Sequence, residues 1–324
     1  MKKSLMLLVA LSTIATTSYA DTSTFPNAIT IEGIALNPEG IEYDKNDQTF
    51  LLSSLNATPI TKVSLDGSYK PFTSGEKFPL STAGLQIDDK RNRLLVAGFN
   101  GTEAMDNDPK TKGASFLRIY NLKTGVLEKE INLSSLAPKA DAYFANDIAV
   151  DKNGNVYISD WYAKVIYKVA LDGKATLFWE NKTSIPSGPN GLDVHPDGYL
   201  LVSILNVNDK WLYADYGLVK IPLENPKSAT LVKISNAGYT GFDGMVLTSA
   251  GSVVGITNNG KTPGGNTFIE LTSTDSWKSA QVSHTKTITP STTVAVTPEH
   301  MQYVINQDFT DNFKKSWTIE RIAF

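Results

Sequence analysis

The chain has 324 residues, of which 41% are hydrophobic and 19% charged, with a formal net charge of −3 and no cysteine. That length and hydrophobicity suffice for a large buried core, and the lack of any basic stripe argues against a nucleic-acid surface. Without cysteine there are no disulfides, thiolate nucleophiles, Cys-ligated zinc sites or lipid-modified cysteines.

At the N-terminus, Lys2 and Lys3 precede an apolar stretch over 5–14, and Ser18-Tyr19-Ala20 places small residues where a signal peptidase reads. These features predict a secretory signal over 1–20 and a mature domain over 21–324. The apolar centre is too short for a bilayer span of roughly 20 helical residues. No later segment reaches that length, so a soluble, exported protein is expected, periplasmic or secreted. The dibasic start reads as bacterial.

Next comes a β-rich stretch, Ala28-Ile29-Thr30-Ile31-Glu32-Gly33-Ile34, and then one phrase recurs six times, starting near residues 38, 82, 145, 189, 242 and 292. Its clearest version is Gly188-Pro189-Asn190-Gly191-Leu192-Asp193-Val194. Others are Pro38-Glu39-Gly40-Ile41, Thr82-Ala83-Gly84-Leu85, Ala145-Asn146-Asp147-Ile148, Phe242-Asp243-Gly244-Met245 and Thr292-Thr293-Val294. Each is followed by an alternating strand and a second strand, in two units closing at Asp66-Gly67 and Asp172-Gly173. A period of roughly 40–50 residues with insertions is the signature of propeller blades.

One such unit cannot bury both of its faces, so neighbours must stack, and closing the stack into a ring removes exposed sheet edges. The expected fold is therefore all-β: a six-bladed β-propeller of four-stranded antiparallel blades, closed by the N-terminal strand pairing with the last blade. A β-sandwich or a pair of β domains is the alternative, and no linker divides the chain to support it. Long insertions over 101–114 and 206–217, the second carrying Trp211, Tyr213 and Tyr216, are expected to form a rim beside a central site.

In a propeller, the residues that start the innermost strands approach the axis. Four of the six phrases carry Glu39, Asn146, Asn190 and Asp243 there, while the other two carry Ala83 and Thr293. Two carboxylates and two amide oxygens make a hard donor set, suited to Ca²⁺ first and to Mg²⁺, Mn²⁺ or Zn²⁺ after it. Read singly, each of these residues is also an ordinary turn former.

The order Pro-Glu-Gly, Asn-Asp, Pro-Asn-Gly and Asp-Gly resembles the SMP-30/gluconolactonase superfamily of six-bladed propellers and the related paraoxonase and diisopropylfluorophosphatase-type enzymes. The resemblance spans essentially the whole mature chain, and its weight lies in the order of short motifs. It implies a divalent cation held by Glu39, Asn190 and Asp243 with Asn146 next, and Asp243 as general base or nucleophile. It also implies a metal-dependent hydrolase of a small lactone or related ester, expected here as a monomer.

The sequence departs from the sugar-lactonase pattern in two places. Phe144 stands where those enzymes tend to carry an arginine, and the third motif is Asn-Asp-Ile rather than Asn-Asp-Gly. Phe144, Trp161, Trp211 and Tyr213 are the expected substrate contacts, in an aromatic pocket. The three histidines, His195, His284 and His300, are not assigned to the site, and no Gly-x-Ser-x-Gly elbow occurs. Asn146-Asp147-Ile148-Ala149-Val150-Asp151 is also similar to NHL-like propellers, so a non-catalytic binding propeller is the alternative function.

Overall fold

The computed structural model describes residues 25–77, 79–100, 113–185, 187–207, 213–235, 239, 241–258, 266–307 and 314–324, with the backbone alone for 206–207, 213–215 and 258. Among these, the strands form six sheets whose innermost strands neighbour one another all the way round, the first against the last. This is the expected closed six-bladed propeller. The predicted signal over 1–20 and the insertion residues 101–112 and 208–212 lie outside the described residues.

Blades one to four each run outward in chain order. Blade one is Ile41–Asp44, Thr49–Leu52, Thr61–Ser64 and Tyr69–Pro71. Blade two is Ser81–Asp88, Arg93–Asn100, Ala114–Asn121 and Leu127–Asn132. Blade three is Ala145–Val150, Val156–Asp160, Val165–Val169 and Ala175–Glu180. Blade four is Gly188–His195, Tyr199–Val207, Tyr213–Pro222 and Thr230–Leu231.

Blade five, Met245–Leu247, Val253–Asn258, Asn266–Thr272 and Ser279–Thr287, gains an outermost fifth strand. That strand, Lys233–Ser235, pairs in parallel with Ser279-Ala280-Gln281 on the way in from blade four. Blade six is Ser291–Val296, Gln302–Asn306 and Ser316–Ile322, completed by Ala28–Glu32 from the other end of the chain. The register of that closure puts Ile29 opposite Ile319 and Ile31 opposite Trp317, and all four side chains are buried.

Each seam between blades has its own hydrophobic cluster. The second strand of a blade feeds two seams at once. Phe50 and Leu52 face the seam with blade six, whereas Leu51 between them faces blade two. Leu95 and Ala97 likewise face blade three while Leu94 and Val96 face blade one. These strands are therefore buried on both faces, and Thr49–Leu52, Arg93–Asn100 and Val156–Asp160 are buried at every position. Alternation of burial survives where only one face packs, as in Ala28–Glu32.

Candidate functional site

The innermost strands all begin at one end of the axial channel, here called the mouth. Four of them break register just inside it: between Thr82 and Leu85, Ala145 and Ile148, Pro189 and Leu192, and Ser291 and Val294. In each case two residues oppose one on the second strand, which is a β-bulge. Blades one and five show the same arrangement by hydrogen bonding. Ser53 N donates to Gly40 O at 3.0 Å, and Asp243 N donates to Ile256 O while Ile256 N returns to Gly244 O, at 2.9 and 3.1 Å.

The first bulge residues, taken round the ring, are Glu39, Ala83, Asn146, Asn190, Asp243 and Thr292. The four expected polar residues thus occupy matched positions. In blade six the matched residue is Thr292, not Thr293, because Ser291 pairs with Asn306 as Ala145 pairs with Asp160.

The second bulge residue is where neighbouring blades touch. A Cβ on Gly191 would lie 2.3 Å from the backbone oxygen of Asp243, and one on Gly84 2.5 Å from that of Asn146. Glycine there lets adjacent bulges close on the axis. Blade three has Asp147 at this position, and its carboxylate becomes the link to blade four, accepting from Ile148 N at 2.9 Å and Leu192 N at 3.0 Å.

Serine hydroxyls on the second strands hold the bulges. Ser53 Oγ accepts from Gly40 N at 2.6 Å, Ser159 Oγ from Asp147 N at 2.9 Å, and Ser203 Oγ from Phe242 N at 2.7 Å. Each held amide is adjacent in sequence to Glu39, Asn146 or Asp243. Sequence reading missed these serines, because they lie in the second strand and not in the recurring phrase.

Glu39, Asn146 and Asp243 line an axial cavity of about 290 Å³, and Asn190 joins them through Nδ2, which donates to Asp243 Oδ1 at 3.1 Å. Glu39 is 9%, Asn146 6% and Asn190 4% exposed. Two oxygens at this point, Glu39 Oε2 and Asn190 Oδ1, are buried without a hydrogen-bond partner. Such orphaned acceptors are costly unless something electropositive meets them. Burial, followed by the charge of Asp243, holds the Glu39 carboxyl well above the usual carboxylate range.

Deeper in the channel the acidity continues. Among the described residues the wall contains Glu42, Asp147 and Asp193 and no Lys, Arg or His. Glu42 Oε1 accepts from Gln86 Nε2 at 3.0 Å, and Asp193 accepts from Val194 N at 2.6 Å and Leu247 N at 2.8 Å. Burial pushes Glu42 up to about 8, Asp147 to about 7 and Asp193 to about 6. The backbone amides donated to these groups pull the other way and lose to burial.

The donor set fits a hard divalent cation. Two carboxylates would neutralise its charge, the orphaned amide and carboxylate oxygens would gain an electropositive partner, and repulsion between the acids would be relieved. The match depends on amides, since among the described residues no group of three or more His, Cys, Asp or Glu side chains could hold a metal ion.

Of the expected substrate contacts, Phe144 and Trp161 come together beside this ring. Phe144 is 8% exposed and packs on Phe99, Trp161 and Tyr162, with ring centroids 4.0, 5.9 and 5.7 Å away. Trp161 and Tyr162 stack on each other at 5.2 Å, and both keep part of their surface accessible. Phe144 is therefore a backing residue, with Trp161 and Tyr162 as the accessible surface. Its backbone is held by Asp160, whose Oδ1 accepts from Phe144 N at 2.8 Å. Trp211 and the side chain of Tyr213 lie outside the described residues. His195 sits far from the mouth, stacked on Tyr199 at 4.3 Å.

Fold and channel together define a six-bladed β-propeller with an acidic axial site. Among solved structures it is similar to the major allergen Mala s 1 of Malassezia sympodialis, with TM-score 0.70 and 20% identity over 92% of this chain and 96% of that one. It is also similar to a gluconolactonase from Xanthomonas campestris, with TM-score 0.59 and 13% identity over 91% and 89%. A third is regucalcin of Agrobacterium tumefaciens, described as a calcium-binding protein, with TM-score 0.58 and 18% identity over 92% and 95%. At these identities the likeness establishes the fold. No protein-family model matches the sequence, and no curated protein does.

Proposed function

We propose that this protein is an exported, divalent-cation-dependent hydrolase that opens a lactone or related ester at the mouth of the propeller channel. The observation that carries the reading is the pair of buried, partnerless oxygens, Glu39 Oε2 and Asn190 Oδ1, beside Asp243 in a channel wall free of basic residues. The gluconolactonase and the calcium-binding regucalcin among the similar structures support the same choice of chemistry.

Glu39, Asn146, Asn190 and Asp243 would hold the cation, Ca²⁺ first among the candidates. Bound there, a divalent ion supplies Lewis-acid polarisation of a carbonyl and a more acidic water. Asp243 takes the proton of the attacking water, and the Asn190 amide fixes the Oδ1 edge of that carboxylate. Glu39, desolvated and repelled by Asp243, would ionise more readily with the cation bound.

The test joins metal analysis of the purified protein to a panel of lactones and aryl esters assayed before and after chelation. Turnover that is lost on chelation and restored by Ca²⁺ supports the reading. A stoichiometric cation with no turnover of any member would instead favour the non-catalytic binding propeller. Export is tested separately, by the mass of the protein recovered from outside the cytoplasm, which should begin at Asp21.

A further inference from the structure

The mouth is asymmetric. Of its first bulge residues the acids, Glu39 and Asp243, sit on blades one and five, while aromatic side chains gather beside blades two and three and reach blade four. Ala83, the apolar member of the bulge ring, belongs to the cluster of Phe99 and Phe144, with Leu55, Trp161 and Tyr162 packed against it. Trp161 bridges to blade four, donating from Nε1 to Leu205 O at 2.9 Å. It also explains Gly188, where a Cβ would lie 2.0 Å from Trp161 O and 2.4 Å from its ring. The indole is thus fixed from two sides, and Tyr162 is stacked upon it. Beyond Tyr162 an open groove of about 430 Å³ runs over Ala140, Ala142 and Ala163, with Lys139, Asp141 and Lys164 also lining it.

We propose that this arc is an acyl- or alkyl-binding shelf, and that the substrate is a lactone or ester bearing an apolar substituent rather than a polyhydroxylated one. The inference rests on the hydrolase reading for the reaction and on the shelf alone for the substrate class. A hydroxylated chain laid across Trp161 and Tyr162, with Phe144 and Ala83 packed behind them, would lose hydrogen bonds to water without replacing them. An alkyl or aryl chain would instead bury apolar area on a surface already held rigid, so little ordering cost opposes binding. The substituent lies over Trp161 and Tyr162 and extends along the alanine-floored groove, leaving the reacting carbonyl toward Asp243.

The experiment compares kcat/KM of the Ca²⁺-loaded protein on γ-decanolactone and on a γ-lactone of matched ring carrying a hydroxylated side chain. The expected preference for the alkyl lactone is about tenfold or more, the scale of a few apolar contacts. Tyr162→Ala should remove most of it, by raising KM for the alkyl lactone several-fold more than KM for the hydroxylated one. Because Trp161 is wedged between two blades, Tyr162 is the safer variant.

Equal or better turnover of the hydroxylated lactone overturns the substrate class and leaves the hydrolase reading standing. If neither lactone is turned over, the hydrolase reading fails, and calorimetric binding of the non-hydrolysable 3-hexylcyclopentanone decides the shelf. Binding that Tyr162→Ala weakens supports the shelf, and no binding overturns it.

Discussion

The side-chain amide of Asn190 reaches across the seam between blades four and five and donates to Oδ1 of Asp243 at 3.1 Å, while its own Oδ1 stays buried without a partner. One residue therefore orients the candidate base with one atom and offers a ligand with another. The bond is available only because Gly191 lets the two bulges meet.

Asp243→Asn is expected to lower kcat on the preferred lactone by about 10²–10⁴, the usual contribution of a positioned base. Metal content measured on the same sample separates proton transfer from ligation. Full metal occupancy with lost turnover assigns the base role, and unchanged turnover overturns the mechanism.

Glu39→Gln should stabilise the chelated protein at pH 8 while abolishing its stabilisation by Ca²⁺. The native carboxylate is buried, leaves Oε2 unpaired and is pushed upward by Asp243, so removing its charge relieves the apo fold. Thermal melts with and without Ca²⁺ check both halves. A variant that retains the Ca²⁺-dependent shift removes Glu39 from the ligand set.

The chelated protein should lose stability as pH rises from about 4 to about 8. Glu42, ordinarily 4.5, is raised to about 8 in the fold, and Asp193, ordinarily 3.8, to about 6. A carboxyl whose folded value is raised holds its proton longer in the folded state. Its contribution is complete below the unfolded value and is lost as pH climbs through the folded one. Glu42→Gln should flatten the upper part of this slope in denaturant titrations. A slope of opposite sign would mean that these carboxylates are ionised in the fold throughout.

Gly191→Ala drives a methyl group against a backbone oxygen, that of Asp243, which cannot swing aside as a side chain can. The expected cost is about 1–3 kcal/mol of stability with a disproportionate loss of Ca²⁺ affinity, because the displaced residue carries a ligand. Chemical denaturation and a Ca²⁺ titration on the same variant distinguish this from general destabilisation.

The N-terminal closure is testable without reference to function. Ile31→Ala removes a fully buried side chain from the seam joining the two ends of the chain. A loss of about 2–5 kcal/mol in the denaturant midpoint is expected, with a shallower loss if the last blade closes on itself.

The architecture was legible because a propeller writes itself repeatedly. Six recurrences of one phrase carry blade number and ring closure, and the stretch read as a strand over 28–34 does pair with the last blade, over 28–32. The repeat positions were legible for the same reason, and five of the six, four of them polar, fall on matched bulge residues. The sixth slipped by one, from Thr293 to Thr292, because a bulge is defined by pairing with a second strand and leaves no mark on a Thr-Thr pair. The parallel strand Lys233–Ser235 was invisible for a similar reason, since three residues carry no periodicity of their own.

By itself, then, the sequence determined how many units there are, roughly where each innermost strand begins and which polar residues lie at its start. Those properties are local and repeated. The tertiary structure alone decided which oxygens lack partners, which serines hold the bulges, that Phe144 backs the aromatic shelf, and that Trp161 and Gly188 share one space. Each of these depends on contacts between neighbouring blades or strands. Such contacts are fixed by how closely the bulges pack around the axis, a distance that no single blade's sequence encodes.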